Sequence, residues 1–185
     1  MVSPPDPAAP PSRQEIVQVL LETGAVRFGD FTLSSGKKSD VYVDVKKAWP
    51  DPRRLRRLAA GLAARVRPGE RLAGMELGAV PLVVAAALEL DRPYVVLRKA
   101  AKEHGTRQAF EGEIPGGAKF VVLEDVTTTG GSTARSVEIV RSAGGVVDRA
   151  IVVLDRDEGA IENLAGIGVT LEALVTFAEL RGART

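Results

Sequence analysis

Two adjacent carboxylates run into a tract rich in hydroxyls and glycine at Val121-Val122-Leu123-Glu124-Asp125-Val126-Thr127-Thr128-Thr129-Gly130-Gly131-Ser132. The apolar residues predict a buried strand, the acids fall at its carboxyl end, and the Thr/Gly tract turns the chain into a helix. Amide N–H groups at such a helix start, with Thr and Ser hydroxyls, cradle a phosphate monoester, and the helix dipole favours the negative charge. Glu124 and Asp125, just before the cradle, suit the hydroxyls of a ribose. The pattern therefore predicts a seat for a phosphorylated sugar. The same residues also suit an ordinary βα turn, in which Glu124 and Asp125 cap neighbouring amides and Thr128 and Thr129 cap the helix. A Walker frame is absent, since at Ser35-Gly36-Lys37-Lys38 the place of the first glycine is held by Phe31.

Cations gather in a second segment, where Arg98, Lys99, Lys102, His104 and Arg107 lie among Ala, Glu and Gly residues. On a mobile loop they can close over a polyanion, neutralise a departing diphosphate and shield the reaction from water. A solvated basic loop is the plainer reading. A third segment, Phe31 to Asp44, reads as a tight turn carrying hydroxyls at Ser34, Ser35 and Ser39, then a strand with Lys46 near its end. The fourth feature is Arg156, closing a strand at the same end as Asp125. Its planar guanidinium suits a carboxylate, and an ion pair with Asp155 or Asp157 suits it equally well.

Those side chains need a scaffold, and the pattern supplies one. Ser12 predicts an N-cap for a helix over 13–23 that ends at Gly24. Residues 26–45 alternate like a hairpin around Ser34-Ser35-Gly36. Asp51-Pro52 starts a second helix whose buried stripe is Leu55, Leu58, Leu62 and Val66. Beyond it, strands are expected over 71–77, 94–98, 119–124, 149–154 and 169–176, with helices over 81–90, 131–143 and 158–164. Strands alternating with helices predict an α/β fold: a mostly parallel central sheet with helices on both faces, which binds ligands at the strands' carboxyl ends. The polar stretch 99–117 breaks this rhythm, as a functional lid or disordered loop would.

Composition narrows the classes. The chain has 185 residues, 45% of them hydrophobic, enough for one core. The expected organisation is a disordered Pro/Ala-rich tail over 1–11 and a single domain over 12–185, with a small N-terminal hood near 25–48. With 25 basic and 24 acidic side chains, nothing at whole-chain level favours nucleic acid or a membrane surface. No cysteine is present, which removes thiol chemistry and fits a reducing cytoplasm. The apolar run 79–88 is too short to span a bilayer.

The hydrophobic run, Glu-Asp, one apolar residue and the Thr-Thr-Thr-Gly-Gly-Ser tract resemble the phosphoribosyl diphosphate signature of type I phosphoribosyltransferases. Arg98 to Gly105 resembles the catalytic loop of the orotate-using members, and Phe31 to Asp44 their Ser-Gly-x-x-Ser segment near the base. Two departures stand out: Ser34 replaces a Lys of many members, and Glu76-Leu77-Gly78-Ala79-Val80 lacks a Lys that some carry in the diphosphate loop. The resemblance implies transfer of a phosphoribosyl group from phosphoribosyl diphosphate to orotate. Under it, Glu124 and Asp125 hold the ribose hydroxyls. Val126, Thr127, Thr128, Thr129, Gly130, Gly131 and Ser132 line the phosphate seat. Arg98, Lys99, Lys102 and His104 meet the diphosphate, while Thr128 and Arg156, with Lys46 as a substitute cation, meet the orotate. It further implies magnesium carried chiefly by the diphosphate oxygens (Mg2+) and a homodimer sharing the loop. Two other readings remain open: transfer to a purine or uracil, and a non-catalytic sensor of phosphoribosyl diphosphate.

Overall fold

The computed structural model describes residues 9–32, 38–99 and 109–183. Helix α1 (Arg13–Glu22) starts in a capping box: the Ser12 hydroxyl accepts from the Glu15 N–H, and the Glu15 carboxylate accepts from the Ser12 N–H at 2.8 Å. Strands β1 (Val26–Thr32) and β2 (Lys38–Val43) pair antiparallel as a separate two-stranded sheet. The expected strand run to Val45 stops at Val43, because Val45 is fully buried and opens a 3₁₀ turn, Val45–Ala48, that carries Lys46. Helix α2 (Pro52–Ala63) begins where the Asp51 carboxylate accepts from the N–H groups of Arg53 and Arg54.

The rest builds one sheet. Its strands are β3 (Arg71–Met75), β4 (Tyr94–Leu97), β5 (Phe110–Glu111), β6 (Lys119–Thr127), β7 (Val146–Asp155) and β8 (Thr170–Thr176), in the order β5-β4-β3-β6-β7-β8. All pairings are parallel except that of β5 with β4. Helices α3 (Val80–Leu90), α4 (Gly131–Ser142), α5 (Ala160–Ala165) and α6 (Phe177–Gly182) connect or follow the strands. Strand alternation feeds two apolar layers. Leu72, Val121, Leu123 and Ile151 pack with α1, α2 and α3 on one face. Ala73, Phe120, Val122 and Ala150 pack with Val137 and Val140 of α4 and Leu164 of α5 on the other.

Two elements have no counterpart in the expectation. Within the stretch read as an unbroken loop, Phe110 and Glu111 pair with Leu97 and Val96 as an edge strand, too short to show periodicity. At the other end, α6 follows β8 without a connection, started by a second capping box between Thr176 and Glu179. Among the described residues no helix is long and apolar enough to cross a membrane.

Candidate functional site

The strand order reverses beside β3: its successor β4 lies on one side and β6 on the other, so a crevice opens at the carboxyl ends of β3 and β6. Strand β6 runs further than its apolar run suggests, because Val126 and Thr127 still pair with Leu154 and Asp155 of β7. The acid pair thus sits inside the strand, with Glu124 5% and Asp125 6% exposed. The Ser132 hydroxyl donates to Glu124 Oε2 at 3.0 Å, and the Asp125 N–H to Glu124 Oε1 at 3.3 Å. Burial, then the charge of Asp125, pushes the Glu124 carboxyl up to about 8. In its protonated form Glu124 can donate to Asp125.

After Thr127 the chain turns into α4. Gly130 adopts φ 82° and has no side chain to cap the helix, so the first-turn amides of α4 are left for a ligand. The turn is held from outside: Asn163 Nδ2 donates to the Thr129 carbonyl at 2.9 Å, and the Arg156 N–H to the Thr127 carbonyl at 3.0 Å. Thr129, Gly131 and Ser132 are exposed and Thr128 half-buried, whereas Thr127 is buried. Val126 packs its side chain against the core.

On the β3 side, a Cβ on Gly78 would lie 2.5 Å from Asp125 Oδ1, so the turn after β3 rests directly on that carboxylate. Glu76 ties two loops together, its N–H donating to the Leu97 carbonyl at 2.8 Å and its Oε1 accepting from the Lys99 N–H at 2.9 Å. The Lys99 side chain is exposed. Arg98 pairs with Glu111 of β5 through Nε at 3.1 Å and Nη2 at 2.7 Å. Lys102, His104 and Arg107 lie outside the described residues, as do Ser34, Ser35 and Gly36.

Two cations bound the far side. Lys46 pairs with Asp44 at 2.7 Å, and that hydrogen bond, with the charge of Asp125 adding to it, holds its ammonium above the ordinary value. Arg156 donates through Nη2 to Glu158 at 2.8 Å, while its Nε is buried without a partner among the described residues. Asp155, 2% exposed, accepts from the Asp157 N–H at 3.0 Å and so shapes the turn that carries Arg156.

A model of the phosphoribosyl transferase domain matches residues 55–178. The chain belongs to the phosphoribosyltransferase family. It is 49% identical over 173 residues to the orotate phosphoribosyltransferase of Natronomonas pharaonis, covering 94% of this chain and 99% of that one. The crystal structure of orotate phosphoribosyltransferase from Aeropyrum pernix superposes with a TM-score of 0.80 at 36% identity, covering 91% of this chain and 97% of that one. The Mycobacterium tuberculosis enzyme in complex with 5-phospho-α-D-ribosyl 1-diphosphate gives 0.73 at 30% identity, covering 92% and 99%.

In this phosphoribosyltransferase, the structure brings Glu124, Asp125, Thr128 to Ser132, Lys46 and Arg156 to the carboxyl edge of one sheet, and it leaves the placement of the loop cations undescribed. Sequence reading missed the supports: Glu76, Asp44, Asn163 and Asp155, each a common polar residue whose partner is distant in the chain. Only Asp155 had a local signal, as an Asx-turn acid two residues before Asp157. Among the described residues no three His, Cys, Asp or Glu side chains cluster to hold a metal.

Proposed function

We propose that the chain transfers the 5-phosphoribosyl group of phosphoribosyl diphosphate to orotate, giving orotidine 5'-monophosphate and diphosphate in pyrimidine (UMP) biosynthesis. The observation that carries this reading is the near full-length likeness to orotate phosphoribosyltransferases. The uncapped start of α4 and the acid pair beside it agree with it. The α4 amides and the hydroxyls of Thr128, Thr129 and Ser132 hold the 5'-phosphate, and Glu124 and Asp125 accept from the ribose hydroxyls. Arg156 takes the orotate carboxylate, and Lys46 adds a second positive charge at the base. The ring N1–H of orotate gives up its proton, which ends on the departing diphosphate or in water, and a bond forms between that nitrogen and the anomeric carbon while the bond from that carbon to the diphosphate oxygen breaks. The electron pair leaves with the diphosphate, through an oxocarbenium-like transition state. The protein contributes positioning and charge neutralisation. Magnesium belongs to this reading as part of the substrate, carried on the diphosphate, with Lys99, Lys102 and His104 closing over the leaving group. Assembly as a homodimer that shares this loop, and a cytoplasmic location, complete the proposal.

Purified protein with magnesium and phosphoribosyl diphosphate is expected to consume orotate, followed as loss of its ultraviolet absorbance, and to leave adenine, hypoxanthine and uracil untouched. Turnover of one of those bases in place of orotate overturns the assignment. Binding of phosphoribosyl diphosphate without any turnover favours a sensor. Replacing Arg156 by Ala is expected to raise the KM for orotate about tenfold or more, the usual scale for a hydrogen-bonded charge, with the KM for phosphoribosyl diphosphate little changed. Equal loss of both assigns Arg156 a structural role.

A further inference from the structure

Ser132 stands between the two halves of the donor site. It is the second residue of α4, whose first-turn amides form the anion seat, yet its Oγ lies 3.0 Å from Glu124 Oε2 and 3.8 Å from Met75 Sδ. A hydroxyl has a single hydrogen to donate. Glu124 Oε2 takes that hydrogen here, and the other donor to this carboxyl, the Asp125 N–H, reaches Oε1 at 3.3 Å. A phosphate monoester in its doubly ionised form offers only acceptors. A phosphate seated on α4 and the Glu124 carboxyl therefore compete for one hydrogen.

We infer that the hydroxyl hydrogen of Ser132 moves from Glu124 Oε2 to the 5'-phosphate when the donor binds, which leaves Glu124 Oε2 open to a ribose hydroxyl. The inference rests on the phosphoribosyl diphosphate reading above. It makes Ser132 a positioning residue for Glu124 as well as a phosphate contact. It also means that filling the phosphate seat prepares the sugar seat: a ribose compound without a 5'-phosphate meets a Glu124 Oε2 with one of its lone pairs already taken.

The hand-over has a signature in a double-mutant cycle, read by calorimetric titration of magnesium phosphoribosyl diphosphate into wild type, Ser132→Ala, Glu124→Ala and the double variant. In wild type, the Ser132 bond to phosphate is made at the cost of its bond to Glu124. In the Glu124→Ala background it is made at no such cost. Ser132→Ala is thus expected to weaken binding by a factor about fivefold larger in the Glu124→Ala background than in wild type. A Ser132 that stays on Glu124 throughout gives a smaller factor in that background, and a Ser132 indifferent to Glu124 gives the same factor; either result overturns the inference. Ser132→Thr keeps a hydroxyl and is expected to bind like its parent in both backgrounds, and failure of that rescue in a protein with an unchanged melting curve also overturns it. If folded wild type binds no phosphoribosyl diphosphate, the donor reading falls and takes this inference with it. If wild type binds and the cycle fails, the donor reading stands alone.

Discussion

At Glu124 a carboxyl group is buried beside a second one, and the consequence is legible in pH. Ser132 from α4 donates to Glu124, Met75 from β3 touches the Ser132 hydroxyl, and the charge of Lys46 from the 3₁₀ turn acts on Asp125. Burial and the neighbouring charge raise Glu124 from 4.5 to about 8 in the fold. Between those values the folded chain keeps a proton that the unfolded chain has released, so Glu124 makes stability fall as pH rises across that window, with no further loss above it. Glu124→Gln, neutral at every pH and still able to donate to Asp125, is expected to melt higher than wild type at pH 8 and near it at pH 4.5. Thermal melts at the two values check this. The identity of the acid pair is written in the sequence, because pair and phosphate tract are contiguous. Its protonation is not, because the desolvation comes from β3, β7 and α4, which only the fold brings around it.

Among the elements, the β6–α4 unit was the most legible, since an apolar run followed by Thr and Gly residues specifies a strand, a turn and a helix start within one stretch. Helices α1 and α2 were equally plain from Ser12 and Asp51-Pro52. Strand β5 was not, as two residues carry no period. Helix α6 was missed although Thr176 and Glu179 have capping-box spacing, because the β8 run leaves no turn residue before it. The extra length of β6 and β7 was hidden too: charged Asp125 and Asp155 look like strand ends, and backbone pairing across the two strands overrides that preference. Packing between β3 and α3 yields a prediction at this scale. A Cβ on Gly74 would lie 2.4 Å from Val83 Cγ2 and 2.8 Å from the Ala79 Cβ, so α3 rests on the bare backbone of the strand. Gly74→Ala is expected to cost about 1–3 kcal/mol through overpacking, measured by urea unfolding.

Over the whole molecule, the site and the main buried ionic network occupy different ends of the sheet. In the amino-terminal half of β7, Arg149 donates through Nη1 to both Glu70 oxygens at 3.0 Å, and through Nη2 to the Arg65 carbonyl at 3.1 Å and Glu172 at 2.5 Å. Arg149 and Glu70 are buried, and the network ties the segment after α2 to β7 and β8. Removing Glu70 leaves Arg149 Nη1 unpaired while Nη2 keeps Glu172 and the Arg65 carbonyl, so Glu70→Ala is expected to lose about 1–3 kcal/mol of stability, by denaturant unfolding, with turnover of the folded fraction unchanged. The close approach of Gly78 to Asp125 has a different reach, because it joins the turn after β3 to β6 at the site itself. A side chain at position 78 meets the Asp125 carboxylate, so a substitution there displaces that acid or the turn that carries position 78. The two positions, 47 apart in the chain, are thus sterically coupled: the bare backbone at 78 is what leaves room for an acid at 125.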